Sequence, residues 1–468
     1  MIQRIVQVRK HEWRAVGLLG SYIFLMLAVT TLIAAASDAL FVNQFGAEYL
    51  AAEIGLAQIV TILGFAGYRQ LRRLMPVRWV NPVVTAVFLL VFGVFFSLLI
   101  DGVEEAVFAL VVFAPLLAGV LGSEYGRLSA ALVDARSARR LLPILGAIGG
   151  GGASLGAFGM SVISERWQTD YAIAAAVVLL LFTILPPIFI RESQRPRAAT
   201  ASATLWDVLS HRYARMILLA SGILIAITTI VRVQFGAMVT EHYEGAQIGI
   251  FYADFYFWLN IVSMGFALFG TSLAIKWFGA ARSLLIYPTF MAAISLVATQ
   301  FATVLLAAGT QFVERLFRQN IHNTASTISN MPVPVHIRIR QALLSSGSVK
   351  PIVVLATTGL LYVTFGDQAL IPQPLSWPLL YWPVAALSFV LLAMMVYVWR
   401  NYPSVLAASL NARRLRVGGI AETGEDEMLT DGVDSDCRTR DWPPRFSKGC
   451  CVKQGSESRD LSSATGRC

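Results

Sequence analysis

The stretch Val80–Ile100, VNPVVTAVFLLVFGVFFSLLI, decides the fold. It carries no charged side chain, and at ~1.5 Å per residue a helix of this length matches the ~30 Å hydrocarbon core of a bilayer. Apolar residues do not alternate with polar ones along it, so it does not read as a strand of an outer-membrane barrel. Working outward, comparable runs lie at Ala15–Leu40, Glu48–Tyr68, Ala106–Leu132, Leu141–Ile163 and Tyr171–Ile190. Beyond them come Met216–Val239, Ile248–Ile275, Leu284–Phe301, Thr303–Ile328, Pro351–Phe365 and Leu379–Trp399. The expected fold class is an all-α membrane protein with twelve transmembrane helices.

Composition agrees. Of 468 residues, 56% are hydrophobic and 14% charged, against about 25% charged in a soluble domain. The net charge of +9 is no sign of nucleic-acid binding, because the basic residues cluster in the short segments between apolar runs. With the N-terminus inside, the cytoplasmic segments hold Arg4, Arg9, Lys10 and Arg14, then Arg69, Arg72, Arg73 and Arg78, then Arg127, Arg136, Arg139 and Arg140. Arg191 to Arg215, Lys276 and Arg282, Arg315 to Lys350, and Arg400 onward continue the series. The opposite side holds Arg166 among Asp101, Glu104, Glu105, Glu165, Asp170, Glu241, Glu244 and Asp367. This asymmetry predicts both termini in the cytoplasm of a multi-pass inner-membrane protein. No stretch reads as a removable signal peptide, and the first span is the expected anchor.

The longest cytoplasmic connection, residues 191–215, falls between the sixth and seventh spans. It divides the chain into a six-helix half over 1–190 and a second over 216–416. A short surface helix is expected near Trp206–Leu209. Weak repeats agree with two halves: Leu18-Leu19-Gly20-Ser21 opens the first span and Leu218-Leu219-Ala220-Ser221 the seventh. Two such halves enclosing a cavity are the expected architecture. Residues 417–468 have too little apolar surface to bury and are expected to be disordered. All four cysteines (Cys437, Cys450, Cys451, Cys468) lie there, with no histidine to complete a zinc site.

No enzyme or cofactor motif occurs. The five histidines are scattered, and no G-x-S-x-G or P-loop is found. The glycine run Gly146–Gly156 lies inside a span, and the Gly152 to Gly156 spacing is one that lets helices approach closely. A flexing point in a moving helix is the other reading.

Charges at membrane depth are costly and ordinarily face a partner or a wet cavity. Arg232 lies about 25 Å into the seventh helix. Asp38, Glu53 and Asp254 share its level, giving an outer layer in which Asp254 is the expected carboxylate for a driving proton. An inner layer runs along two helices. Glu124, Arg127, Ala131 and Asp134 follow helical spacing on the fourth, as do Glu314, Arg318 and His322 on the tenth. These stripes either form a gate between the halves or pair within their own helices.

Several short segments carry a resemblance. Asp38-Ala39-Leu40-Phe41 with Phe45-Gly46-Ala47-Glu48-Tyr49-Leu50, Asp134–Pro143, Val233-Gln234-Phe235, and Arg318-Gln319-Asn320 leading to Pro332-Val333-Pro334 resemble the ATP/ADP translocase (nucleotide transporter) family, a branch of the major-facilitator-like transporters. The resemblance spans most of residues 15–400 and implies that fold. It also implies a nucleotide or related phosphate compound as substrate. The chain departs from the family at Ser37, where relatives carry Lys, and at Arg232 and Gly236, which flank the Gln-Phe pair. Arg232, Arg127 and Arg318 would have to supply the missing cations.

The sequence therefore points to a secondary transporter, working by alternating access on an anionic small molecule. Substrate binding or gating is assigned to Asp38, Glu124, Arg127, Arg232, Asp254, Glu314, Arg318 and His322. The expected partners are that solute and the lipid bilayer, with no cofactor, no nucleic acid and a monomeric chain. Proton-coupled movement of another small solute and a non-transporting membrane sensor on the same scaffold remain as alternatives.

Overall fold

The computed structural model describes residues 12–46, 49–75, 77–132, 135–189, 205–301, 303–345, 349–365 and 377–423. The described residues are helical, with no strand among them. The apolar runs become α1 (Trp13–Phe45), α2 (Leu50–Leu74), α3 (Val77–Ile100), α4 (Glu104–Leu132), α5 (Ala135–Arg166) and α6 (Tyr171–Phe182). Pro186 and Pro187 interrupt α6, which resumes as Leu185–Ile188. The second series is α7 (Arg212–Thr240), α8 (Ala246–Gly265), α9 (Ile286–Gln300), α10 (Val304–Phe317), α11 (Lys350–Phe365) and α12 (Tyr381–Thr423).

By length and composition, ten helices among the described residues are apolar enough to cross a membrane. The expected twelve accommodates these ten together with α10 and α11, both of which are shorter. A short helix at Leu205–Ser210 matches the one expected before the seventh span. Residues 190–204 of the linker, Asp134, and the tail beyond residue 423 lie outside the described residues. The chain divides into two compact units, Met1–Ser409 and Leu410–Cys468. Helix α12 runs to Thr423, past the expected start of the tail at 417, because Ala407, Ala408, Leu410, Ala412 and Leu415 are strong helix formers.

Successive helices run in opposite directions, so α1, α3, α5, α7, α9 and α11 begin at one face, called basic here from the sequence asymmetry, and the others at the opposite, acidic face. Helices α1 and α5 pack with their backbones almost touching. A Cβ added at Gly152 would lie 2.1 Å from the Phe24 carbonyl oxygen, and one at Gly156 would lie 2.2 Å from that of Ala28. The glycine run is therefore a packing seam.

Two helices are wound irregularly at matching depth. Helix α8 passes through a π-turn at Phe266–Gly270 and α10 through another at Arg318–His322. A π-turn leaves the ordinary i to i+4 ladder short of donors, and side chains make up the difference. Thr271 donates its hydroxyl to the Asn320 carbonyl at 3.2 Å, while the Asn320 amide donates to Ser263 Oγ at 2.7 Å. The two turns are thus bonded to each other. Gly270 is required here, since any Cβ would stand 2.9 Å from the Phe266 ring.

Candidate functional site

Three of the four charges expected in the outer layer meet. Arg232 of α7 donates to Asp38 Oδ1 of α1 at 3.0 Å and approaches Glu53 Oε2 of α2 at 3.5 Å. Its side chain is 28% exposed, that of Asp38 12%, and that of Glu53 is fully buried. Neither Glu53 oxygen accepts a hydrogen bond, so Coulomb attraction alone holds it. The second Asp38 oxygen accepts from the Tyr256 hydroxyl of α8 at 3.3 Å. Arg315 of α10 donates to that same hydroxyl at 3.0 Å, with its guanidinium 4.7 Å from the ring centroid. One continuous network thus joins α1 and α2 to α7, α8 and α10.

Asp254 does not join it. It sits on an exposed face of α8, where Ser161 of α5 donates to it at 3.4 Å.

Two cavities adjoin the network. The first, 340 Å³, is lined by Gln58, Thr61, Thr228, Arg232, Arg318 and Lys350 among others. The second, 470 Å³, is lined by Thr31, Tyr256, Asn260, Ser263, Arg315 and Gln319, with Gly146 and Gly150 of α5 on one wall. Along each helix that belongs to both network and lining, the lining residues lie on the basic side. Leu27 to Ala34 precede Asp38 on α1, Ile54 to Thr61 follow Glu53 on α2, and Leu224 to Thr229 precede Arg232 on α7. Asn260 to Ala267 follow Tyr256 on α8. The charged network is therefore a roof, with the cavities extending ~10–15 Å below it toward the basic face.

Above the roof the chain is tightly packed. A Cβ at Gly236 of α7 would stand 2.4 Å from Leu50 of α2, and Phe235 packs against Phe255 and Tyr252 at 4.7 and 5.4 Å.

The inner-layer residues pair within their own helices. Glu124, fully buried, accepts from Arg127 at 2.7 Å and from the Tyr68 hydroxyl of α2. Nearby, Tyr22 of α1 donates to Asn81 of α3 at 3.2 Å. In the second series Glu314 accepts from Arg318 and, at 2.7 Å, from the Thr228 hydroxyl of α7. His322 is buried beside the Tyr287 ring at 5.5 Å, its Nδ1 without a hydrogen-bond partner. No ion pair among the described residues joins the α4 stripe to the α10 stripe; the pairs between the two helix series are those of Arg232. Glu124→Gln is therefore expected to cost about 1–3 kcal/mol of stability while leaving solute exchange intact. Thermal unfolding alongside an exchange assay checks this; a change in exchange without a change in stability favours the gate reading.

Sequence reasoning missed Arg315, Tyr256 and Lys350. In the sequence Arg315 reads as one of the cytoplasmic basic residues, yet α10 carries it into the roof beside Tyr256. Lys350 precedes Pro351 at the start of α11 and lines the first cavity.

No family model and no curated protein matches the chain. Among solved structures it is similar to an alanine-substituted mutant of the nucleoside transporter NupG, at 12% identity and a TM-score of 0.62, over 82% of this chain and 99% of that one. A D-xylose-proton symporter aligns at 14% identity and TM-score 0.56, over 82% and 97% of the two chains. FucP, a Major Facilitator Superfamily transporter in the outward conformation, aligns at 14% and 0.52, over 82% and 98%. At these identities the likeness speaks for the path of the chain, and it agrees with the helix order and central cavities above. The chain has the major facilitator fold.

Proposed function

We propose that this protein is a secondary transporter that moves a small organic anion by alternating access, with residues 1–190 and 216–416 as the two moving halves. The observation that carries the reading is the one-sided arrangement of the central charges. A cross-half network closes the path above, and cavities lined by arginines and hydroxyls lie only a few residues below it. Rocking the halves breaks the bonds of Arg232 to Asp38 and Glu53 and transfers access to the other face. The nucleoside and xylose-proton carriers with this fold move small polar solutes. The resemblance to the ATP/ADP translocase family favours a phosphate-bearing compound, with arginine in place of that family's lysines. The basic face is assigned to the cytoplasm of the inner membrane, with both termini there, on the distribution of Lys and Arg.

Thr31→Cys, in a background with the four tail cysteines replaced by serine, tests the reading in proteoliposomes. A membrane-impermeant maleimide is expected to label the second cavity from the basic face only. Adding Arg232→Ala should open labelling from the acidic face as well. Labelling confined to one face in both proteins, with no solute exchange in either, excludes alternating access.

A further inference from the structure

Resting on the transport reading, we infer that the 470 Å³ cavity is the solute site and that Arg315 binds the solute's single anionic group, so that compounds with one such group are selected over polyphosphates. The cations around the cavities differ in how far the protein already neutralises them. Arg232 has Asp38 and Glu53, and Arg318 has Glu314. Lys350, at the start of α11, lines the first cavity and not the second. Arg315 has no carboxylate within ion-pair distance among the described residues, and its hydrogen-bond partner is the neutral Tyr256 hydroxyl. A guanidinium at membrane depth without a counter-ion is expensive, and an anionic ligand supplies what the protein does not.

The rest of that cavity suits the body of such a molecule. Asn260 and Gln319 present carboxamides and Thr31 a hydroxyl toward the space, and the lining contains no carboxylate to repel an anion. The volume lies in the range of small-molecule sites, about 300–1,000 Å³. A triphosphate brings several negative charges to Arg315, and Arg232 and Arg318 would have to abandon buried carboxylates to meet them. A carboxylate or monophosphate on a hydroxyl-rich body needs only Arg315.

The position also couples binding to the roof. Arg315 and Asp38 share the Tyr256 hydroxyl. An anion that draws Arg315 from Tyr256 loosens the bond that helps keep Asp38 beside Arg232, so occupancy of the cavity weakens the cross-half closure above it.

Thermal shift on the purified full-length protein tests the assignment. The probes are gluconate against glucose, and AMP against adenosine and ATP, at equal concentrations. A ligand that prefers the folded state raises the unfolding temperature. The expected result is a rise with at least one of gluconate and AMP, none with its neutral parent, and a smaller rise with ATP than with AMP. Arg315→Gln should weaken the active acid about tenfold or more, with Arg315→Lys retaining part of the binding. Should Arg315→Gln not fold, protection of Thr31→Cys from maleimide by the same acid, in the presence of native Arg315, gives a second readout.

Equal stabilisation by the neutral parents overturns the assignment while leaving transport standing. So does loss of binding on Lys350→Gln but not on Arg315→Gln, or a largest shift with ATP. Failure of both acids to stabilise or protect also overturns it. One-sided labelling of Thr31→Cys with and without Arg232→Ala, with no solute exchange in either protein, in contrast removes the transport reading itself.

Discussion

Replacing Arg232 with Gln is expected to abolish solute exchange and to cost about 3–5 kcal/mol of stability, the usual penalty for removing one partner of a buried ion pair. The cost arises because the guanidinium serves two carboxylates. Asp38 is left with only the Tyr256 hydroxyl, and Glu53, already without a hydrogen bond, loses its cationic partner and keeps the Asp38 carboxylate as a neighbour. The two acids then differ in a way a thermodynamic cycle can read. Asp38→Asn removes the charge facing Arg232 and leaves one acceptor oxygen for the two donors Arg232 and Tyr256, so it is expected to be clearly destabilising. Glu53→Gln removes a fully buried carboxylate that makes no hydrogen bond, so it should be close to neutral in an otherwise native protein. In the Arg232→Gln background both acid substitutions should recover stability, because each removes a stranded charge. Unfolding temperatures of the three single and two double variants provide the check, with exchange assayed in parallel. Recovered stability without recovered exchange assigns Arg232 to the transport cycle. Recovery of both shows that the charges only hold the helices together.

Much of this arrangement was legible in the sequence. The apolar runs are long, and their boundaries are marked by basic clusters, so all twelve expected positions are helical within a few residues. Arg232, Asp38 and Glu53 stood out because charges inside such runs are rare, and their depths followed from helix rise alone. Depth, however, says nothing of azimuth. Asp254 has the same depth as Asp38 yet lies on another side of α8, a rotation that no single-helix count resolves without knowing which neighbour packs where.

The same limit hid Arg315. It lies one turn before Arg318 and read as part of a basic cytoplasmic cluster, whereas α10 carries it up to the Tyr256 ring. The inner stripes were found, but their partners were not. Spacings of three and four residues fit pairing within a helix as readily as pairing across helices, and only the positions of Tyr68 and Thr228 decide between them. The π-turns have no signal at all, since what marks them is a backbone bond one residue longer than the α-helical step, from Thr271 to Phe266 and from Asn323 to Arg318.

The second large effect is predicted at Gly152. Its Cα faces the α1 backbone so closely that a single added carbon would overlap the Phe24 carbonyl, carbonyl carbon and Cα at 2.1, 2.7 and 2.8 Å. Rotation of a side chain cannot relieve a clash with backbone, so the two helices must part along much of the seam. Gly152→Ala is thus expected to cost on the order of 3 kcal/mol or more, and Gly152→Val to prevent accumulation of folded protein. The adjacent Gly151 is the internal control. A Cβ there meets nothing nearer than the Phe24 ring at 3.9 Å, an ordinary contact. Gly151→Ala should be neutral or slightly stabilising, because alanine favours the helix over glycine by up to ~1 kcal/mol. Size-exclusion profiles and unfolding temperatures of the two alanine variants separate the readings of the glycine run. If Gly152→Ala folds normally and slows only exchange, the run serves motion. If it fails where its neighbour succeeds, the run exists to bring α1 and α5 together, and that contact sets where Asp38 and the wall of the 470 Å³ cavity stand.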